Sequence, residues 1–207
     1  MISVEKKARA YRKAANLTTI GRTYISAVVS ANITTGDRLL PKTVRHRSVG
    51  LAVGIAALAG LDKLDGYFAC KAEAYGLPPT DEDKKLDPKH DKLFAYMTMG
   101  SIAMREIMDG NKLYGGMIAG NALIACVRDR KMNQSRENAV QGADVGAIWI
   151  NKQKTGVQNF GHVIAGSPLA ATMPGQALAV GIYGVSNVMG IVGYFRADKI
   201  HRGEDNG

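Results

Sequence analysis

Cysteine is scarce. The chain has two, Cys70 and Cys126, and their positions offer neither a disulfide framework nor a thiolate metal site, so both are expected to be reduced. Acidic residues are few: 18 Asp+Glu stand against 27 Lys+Arg, a formal charge of +9. An excess of this size fits either nucleic acid or an anionic membrane. Aromatics make up only 6% of the chain, the basic residues lie between apolar runs, and no nucleic-acid motif is present, which argues against nucleic acid. Over most of the chain an unbroken apolar run of about 20 residues, enough for one membrane-spanning helix, is also missing. Mean hydropathy is slightly below zero. At 207 residues the chain is read as a single domain.

One stretch departs from this pattern. Thr155 to Phe195 contains no Lys, Arg, Asp or Glu and is about twice the length one span needs. Pro174-Gly175-Gln176 divides it, which predicts a helical hairpin from Val157 to Met173 and from Ala177 to Phe195. Shorter apolar runs, Thr23–Ile33, Ser48–Leu61, Leu93–Met108 and Leu113–Val127, bring the count to six if polar ends extend the helices. The expected fold is therefore all-α: an integral membrane bundle of six transmembrane helices over residues 17–196. Residues 1–16, with Lys6, Lys7, Arg9, Arg12 and Lys13 among alanines, are expected to form an interfacial amphipathic helix against membrane lipids. Residues 197–207 are expected to form a cytoplasmic tail. Six spans put most of the basic loops on one side, which the positive-inside rule makes cytoplasmic. Arg38, Lys42, Arg45 and Arg47 would then face outward.

Two carboxylate pairs carry the chemistry. Asp62 and Asp65 are three residues apart, Asp87 and Asp91 four apart, so each pair projects from one face of a helix. Acids beside apolar runs repel one another and are costly to desolvate, and Mg²⁺ or Mn²⁺ held by carboxylates and substrate phosphates removes that cost. Gly66 and Ala69 extend the first face and allow a ligand to lie close to the backbone. The pattern reads as a site for a metal-bound phosphate ligand. Isoprenoid synthases bind Mg²⁺-diphosphate through helical aspartates too, but use a DDxxD pattern.

In these residues the chain resembles the CDP-alcohol phosphatidyltransferase family, whose motif reads DxxDGxxAR, a spacer, then GxxxDxxxD. Asp62, Asp65, Gly66, Ala69, Asp87 and Asp91 match, and the stretch DPKHDK is similar to the family's DPxxDK ending. Cys70 stands where the family has arginine and Asp83 where it has the second glycine; Lys71 is the nearest replacement charge. Asn16, Thr19 and Arg22 form an NxxTxxR pattern similar to the family's first helix. ACVRDRKMNQSRENA and NKQKTGVQ resemble the RE-containing segment and the KxKTxxQ segment of the phosphatidylglycerophosphate synthases within the family, with Arg128-Asp129 in place of RE.

The resemblance implies transfer of a phosphatidyl group from CDP-diacylglycerol to an alcohol, with release of CMP. It implies Asp62, Asp65, Asp87 and Asp91 as metal ligands and Asp91 as the base that takes the acceptor proton. Asn16, Thr19, Arg22, Gly66, Ala69 and Lys71 would bind the CDP moiety. Arg128, Lys152 and Lys154 suit an anionic acceptor, glycerol 3-phosphate, by charge and fork geometry. Inositol phosphate or inositol as acceptor, and a catalytically weakened nucleotide- or lipid-binding membrane protein, stay open, as does a homodimer. Outside the motifs, Arg105 and Glu106 are expected to pair, His162 to be a packed neutral residue, His90 to lie on the surface, and Met97, Met99, Met104, Met108 and Met117 to fill core gaps.

Overall fold

Ser48 and Thr172 begin two helices by the same device: their hydroxyls accept hydrogen bonds from the backbone N–H of Leu51 and Gly175, three residues ahead. The computed structural model describes residues 4–78, 80–140 and 149–204, and for 81–91 the backbone alone. Among the described residues there are six α-helices and no strand: α1 (Val4–Thr34), α2 (Val49–Ala74), α3 (Asp81–Met108), α4 (Lys112–Glu137), α5 (Trp149–Gly166) and α6 (Met173–His201). Short 3₁₀ turns cover Lys42–Val44 and Pro168–Ala171. The all-α expectation holds. α1 lies against α2 and α3, α4 against α3 and α6, and α5 against α2, α3 and α6. Leu51, Ile55, Met99, Ile102, Ile118 and Tyr183 fill the centre.

Several boundaries differ from those expected. The interfacial helix over 1–16 is not a separate element, because α1 runs unbroken from Val4 to Thr34. Packing explains this. Ala8 and Ala15 are buried, Tyr11 stacks on Tyr75 with ring centroids 5.7 Å apart, and Arg12 donates to the Leu77 carbonyl at 2.9 Å. The first turns of α1 are thus fastened to the end of α2 rather than released onto a surface. The tail expected from residue 197 begins later, since α6 continues to His201, where Ser135 on α4 hydrogen-bonds His201 Nδ1 and Asp198. The hairpin break falls at Ser167–Thr172, not at Pro174-Gly175-Gln176. Proline is tolerated in a first helical turn, where its missing N–H has no partner to lose, and Thr172 supplies the cap.

The expectation of six apolar spans holds only in part. α6 is, among the described residues, the one helix long and apolar enough to cross a membrane. The distribution of polarity is nevertheless partly inverted. Thr19, Arg22, Ser26, Ser30, Asn32, Ser101, Glu106, Gln158 and His162 are buried, while Leu17, Ile20, Tyr24, Val53, Leu123, Val188 and Phe195 are exposed.

Glu106 is fully buried and does not pair with Arg105, which instead bonds Asp109 at 2.7 Å. Adjacent residues on a helix point about 100° apart. Glu106 accepts from His46 Nε2 at 2.7 Å, from Arg47 and from Asn111 at 3.0 Å, tying the α1–α2 connection to the end of α3. Arg47 adopts φ +60, a conformation rare for a residue with a side chain, and the Glu106 ion pair holds it there. Of the outward basic loop, Arg47 at least is therefore structural. His162 is packed as expected, with Tyr183 Oη 2.9 Å from its Nδ1. Met99 is core, but Met104, Met108 and Met117 are exposed.

Glu106→Ala leaves three donors, His46, Arg47 and Asn111, without their shared acceptor and should cost about 3–5 kcal/mol, against less than about 1 kcal/mol for Asp109→Ala at the exposed pair. Thermal unfolding of the two variants in detergent compares them directly. Equal melting temperatures would mean that the Glu106 cluster does not hold the loop.

Candidate functional site

α2 remains helical past its apolar part, so Asp62 and Asp65 stand one turn apart on the same face, with Gly66 beside them. α1 supplies their partners. Arg22 Nη1 donates to Asp62 Oδ1 at 2.6 Å, and the Thr19 hydroxyl donates to Asp65 Oδ2. Thr19 and Arg22, the last two positions of the NxxTxxR pattern, are buried with Ser26 at helical spacing on one face of α1. Burial is the largest influence on Asp65 and raises its pKa above the ordinary carboxylate value, against the lowering effects of the Thr19 hydrogen bond and the Arg22 charge.

These residues open into a cavity of about 530 Å³. Its wall brings together Arg22, Asp62, Asp65 and Gly66 with Arg128 from α4 and Lys152 and Lys154 from α5. The sequence separated these groups by up to 132 positions, and the bundle places them around one space. A Cβ added at Gly66 would meet nothing within 4 Å, so the cavity reaches the helix backbone there. Not every expected residue arrives. Asn16 is exposed and lines a separate shallow groove with Arg9, Arg12, Lys13 and Leu77. Lys71 is exposed, with its ammonium 5.7 Å from the centre of the Tyr67 ring. Ala69 is half-buried but outside the cavity wall, and Cys70 is exposed. The side chains of Asp87 and Asp91, and of Asp83 and His90, lie outside the described residues.

The expected metal set is accordingly described in half. Among the described residues no group of three or more Asp, Glu, His or Cys side chains comes together. The two aspartates that are described provide oxygen donors, the chemistry a hard divalent cation requires. Each of them also accepts from a donor on α1, the arrangement that fixes a ligating carboxylate in one orientation.

The opposite wall contains a residue that the sequence reading noted only as a mismatch. Asp129 Oδ1 accepts from Arg128 Nε at 2.8 Å, with Arg128 Nη2 at 2.6 Å in ion-pair contact but not in hydrogen-bond alignment. Its Oδ2 accepts from Tyr96 Oη at 2.7 Å. Burial acts most strongly on Asp129 and would raise its pKa, but the charges of Lys154 and Arg128 and the two hydrogen bonds outweigh it, so the net shift is downward and the carboxylate stays ionised. Lys92, Arg136 and Asn151 line the same wall. Arg136 had one signal in the sequence, since it lies two turns beyond Arg128 on the same face of α4; Tyr96 had none.

Seven cations on the wall, Arg22, Lys63, Lys92, Arg128, Arg136, Lys152 and Lys154, face three described acids, Asp62, Asp65 and Asp129. Such a space suits a ligand with several negative charges, bound on one side by carboxylates and on the other by cations. The chain matches no protein-family model, no curated protein and no solved structure.

Arg128 depends on a glycine of α6. A Cβ at Gly190 would collide with its Nη1 and lie 2.7 Å from its Cζ. Gly190→Ala should therefore destabilise by about 1–3 kcal/mol, and by much less in an Arg128→Ala background. Melting temperatures of the four combinations test this; equal loss in both backgrounds would show that Gly190 does not make the space for the guanidinium.

Proposed function

We propose that the chain is an integral membrane enzyme of the CDP-alcohol phosphatidyltransferase type, moving a phosphatidyl group from CDP-diacylglycerol to glycerol 3-phosphate and releasing CMP. The observation that carries this reading is the shared cavity, in which the Asp62/Asp65/Gly66 face meets Arg128, Lys152 and Lys154. The membrane part draws support from the inverted polarity. Charged and hydroxyl side chains inside with Leu, Val and Phe outside suit lipid as the surrounding solvent, and a buried Arg such as Arg22 is then a functional residue by default. Six helices of 18–31 residues are each long enough to cross all or most of a bilayer at 1.5 Å per residue. The cavity lies toward the ends of the helices joined by residues 75–80 and 138–148, the side that the positive-inside rule assigns to the cytoplasm.

In this reading the donor's diphosphate lies along α2 and its cytidine approaches at Gly66. Asp62 and Asp65, with Asp87 and Asp91, would hold Mg²⁺ or Mn²⁺, whose charge would offset that of the diphosphate oxygens. Arg22 and Thr19 keep the first two carboxylates in place. Arg128, Lys152 and Lys154 draw the dianionic acceptor to the opposite wall. Its hydroxyl attacks the phosphorus that bears diacylglycerol, a new P–O bond forms, the bond to the CMP oxygen breaks, and Asp91 takes the hydroxyl proton. Asn16, Ala69 and Lys71 lie away from the cavity wall and are assigned no step here.

Metal-dependent release of CMP from CDP-diacylglycerol, measured against glycerol 3-phosphate, inositol phosphate, inositol and glycerol, tests the reading. Glycerol 3-phosphate is expected to be the best acceptor, with activity lost on chelation. Asp65→Asn should abolish release while the protein still inserts. No CMP release with any acceptor would leave the nucleotide- or lipid-binding alternative. Lys154→Ala should raise KM for glycerol 3-phosphate about tenfold, equivalent to about 1.4 kcal/mol, and leave that for CDP-diacylglycerol within about twofold. A parallel rise for both substrates would contradict the acceptor role.

A further inference from the structure

A groove of about 350 Å³ runs along an exposed face of α1, and its lining shares no residue with the wall of the large cavity. Arg9, Arg12, Lys13 and Asn16 form its first part, Leu17 and Ile20 its second, and the α2–α3 connection contributes Leu77. Spacings of three, four, seven, eight and eleven residues from Arg9 gather these α1 side chains on one face. Each residue turns a helix by about 100°, so this face points well away from the Thr19–Arg22–Ser26 stripe.

The lining contains three cations and no acid, unlike the cavity, where cations and carboxylates are mixed. Arg9 bonds Glu5 one turn earlier, in an exposed pair that water and salt screen. Arg12 donates to the Leu77 carbonyl at 2.9 Å, which holds its side chain at the groove. Lys13 is exposed and forms no ion pair with a described residue. Beyond these cations the lining turns apolar, with Leu17 59% and Ile20 60% exposed. α1 rises about 10 Å from Lys13 to Ile20, so a phosphate bound at the cations has any chain esterified to it beside Leu17 and Ile20. An anionic head joined to an apolar tail matches both levels of the groove; a free phosphate matches only the first.

We propose that this groove binds one anionic phospholipid that is neither donor nor product of the reaction, its phosphate held by Arg9, Arg12 and Lys13 and an acyl chain lying on Leu17 and Ile20. The proposal rests on the membrane part of the function above and is independent of the transferase part. Arg12 also acts through its charge on Asp65, so the lipid lies near the donor's diphosphate without entering its site.

Native mass spectrometry of the detergent-purified full-length chain, titrated with phosphatidylglycerol, tests this. One phosphatidylglycerol should be retained saturably, and phosphatidylcholine at least about fivefold more weakly. Arg9→Gln and Lys13→Gln should each weaken retention about fivefold, whereas Lys7→Gln, exposed two residues before Arg9 and so on the opposite face of α1, should change it less than twofold. An equal loss in Lys7→Gln would show general surface charge and overturn the site. Ile20→Asn should also weaken retention severalfold, and inorganic phosphate should not displace the lipid. Unchanged retention in Ile20→Asn, or displacement by phosphate, would mean a free-anion site and overturn the lipid assignment. Displacement by excess CDP-diacylglycerol would place the lipid in the donor's site and overturn it as well. Flotation with phosphatidylcholine vesicles separates the two readings: a chain that does not float removes the membrane reading and the groove site with it, while a chain that inserts but retains no phosphatidylglycerol removes the groove site alone.

Discussion

Arg22 reaches from α1 to Asp62 on α2, and most of the architecture around the cavity depends on that contact. The guanidinium is buried, so its charge needs a partner, and Asp62 at 2.6 Å supplies one at the cavity wall. The pair fixes the rotation of α1 about its own axis. Thr19, one turn earlier, is thereby aimed at Asp65, and Ser26 and Ser30, one and two turns later, are turned inward as well. A helix with its polar stripe facing the bundle has its apolar residues on the other side, which is where Leu17, Ile20 and Tyr24 are found. One rotation of α1 thus serves both the cavity wall and the outer surface.

The same inversion explains why one helix stands out by composition and five do not. Hydropathy averaged along a helix sums both faces. α6 packs with Gly175, Ala179, Gly190 and Gly193, small residues that allow close approach without adding polarity, so its average stays high. α1 carries a charged extension and a polar inner face, and α3 and α4 carry charged extensions beside single buried charges, Glu106 and Arg128, so their averages fall. The low mean hydropathy of the whole chain follows from the polar content of its interior and of the helix extensions around the cavity.

Legibility in the sequence followed the range of the interaction. The helical class and the apolar parts of α2 to α4 were readable from their apolar runs, while the polar continuations of α2 to Ala74, of α3 back to Asp81 and of α4 to Glu137 were not; the Asp62/Asp65 face was readable because spacing on one helix needs no tertiary information. Convergence was readable only where a pattern marked both partners, as with Arg22 and the aspartates. The break before α6 was misplaced because Pro174 signals a turn and a first helical turn equally well, and Thr172 decided between them. The partner of Glu106 was missed for a different reason: His46, Arg47 and Asn111 come from two connections, and nothing in local spacing brings 46 and 106 together. Asp129 was visible only as the second residue of an unexpected dipeptide. Its importance lies in contacts with Tyr96 and Lys154, which are 33 and 25 positions away and on other helices.

Cys70 stands where the resembling family has an arginine, and the geometry bears on how much that difference matters. Residues 70 and 71 are exposed on α2 and Ala69 is half-buried; all three lie outside the cavity wall, whereas Asp62, Asp65 and Gly66 are part of it. Ala69 shares the face of Asp62, Asp65 and Gly66, so the split follows distance along α2: residues 69–71 stand one turn beyond the cavity wall. A long arginine at that position would have to reach back toward the cavity across the helix surface. In this chain positive charge comes instead from α1, where Arg22 sits directly against the carboxylates, and from α3, α4 and α5 on the facing wall. The described cavity is therefore positive without an arginine at position 70, with Arg22 as the cation in contact with Asp62.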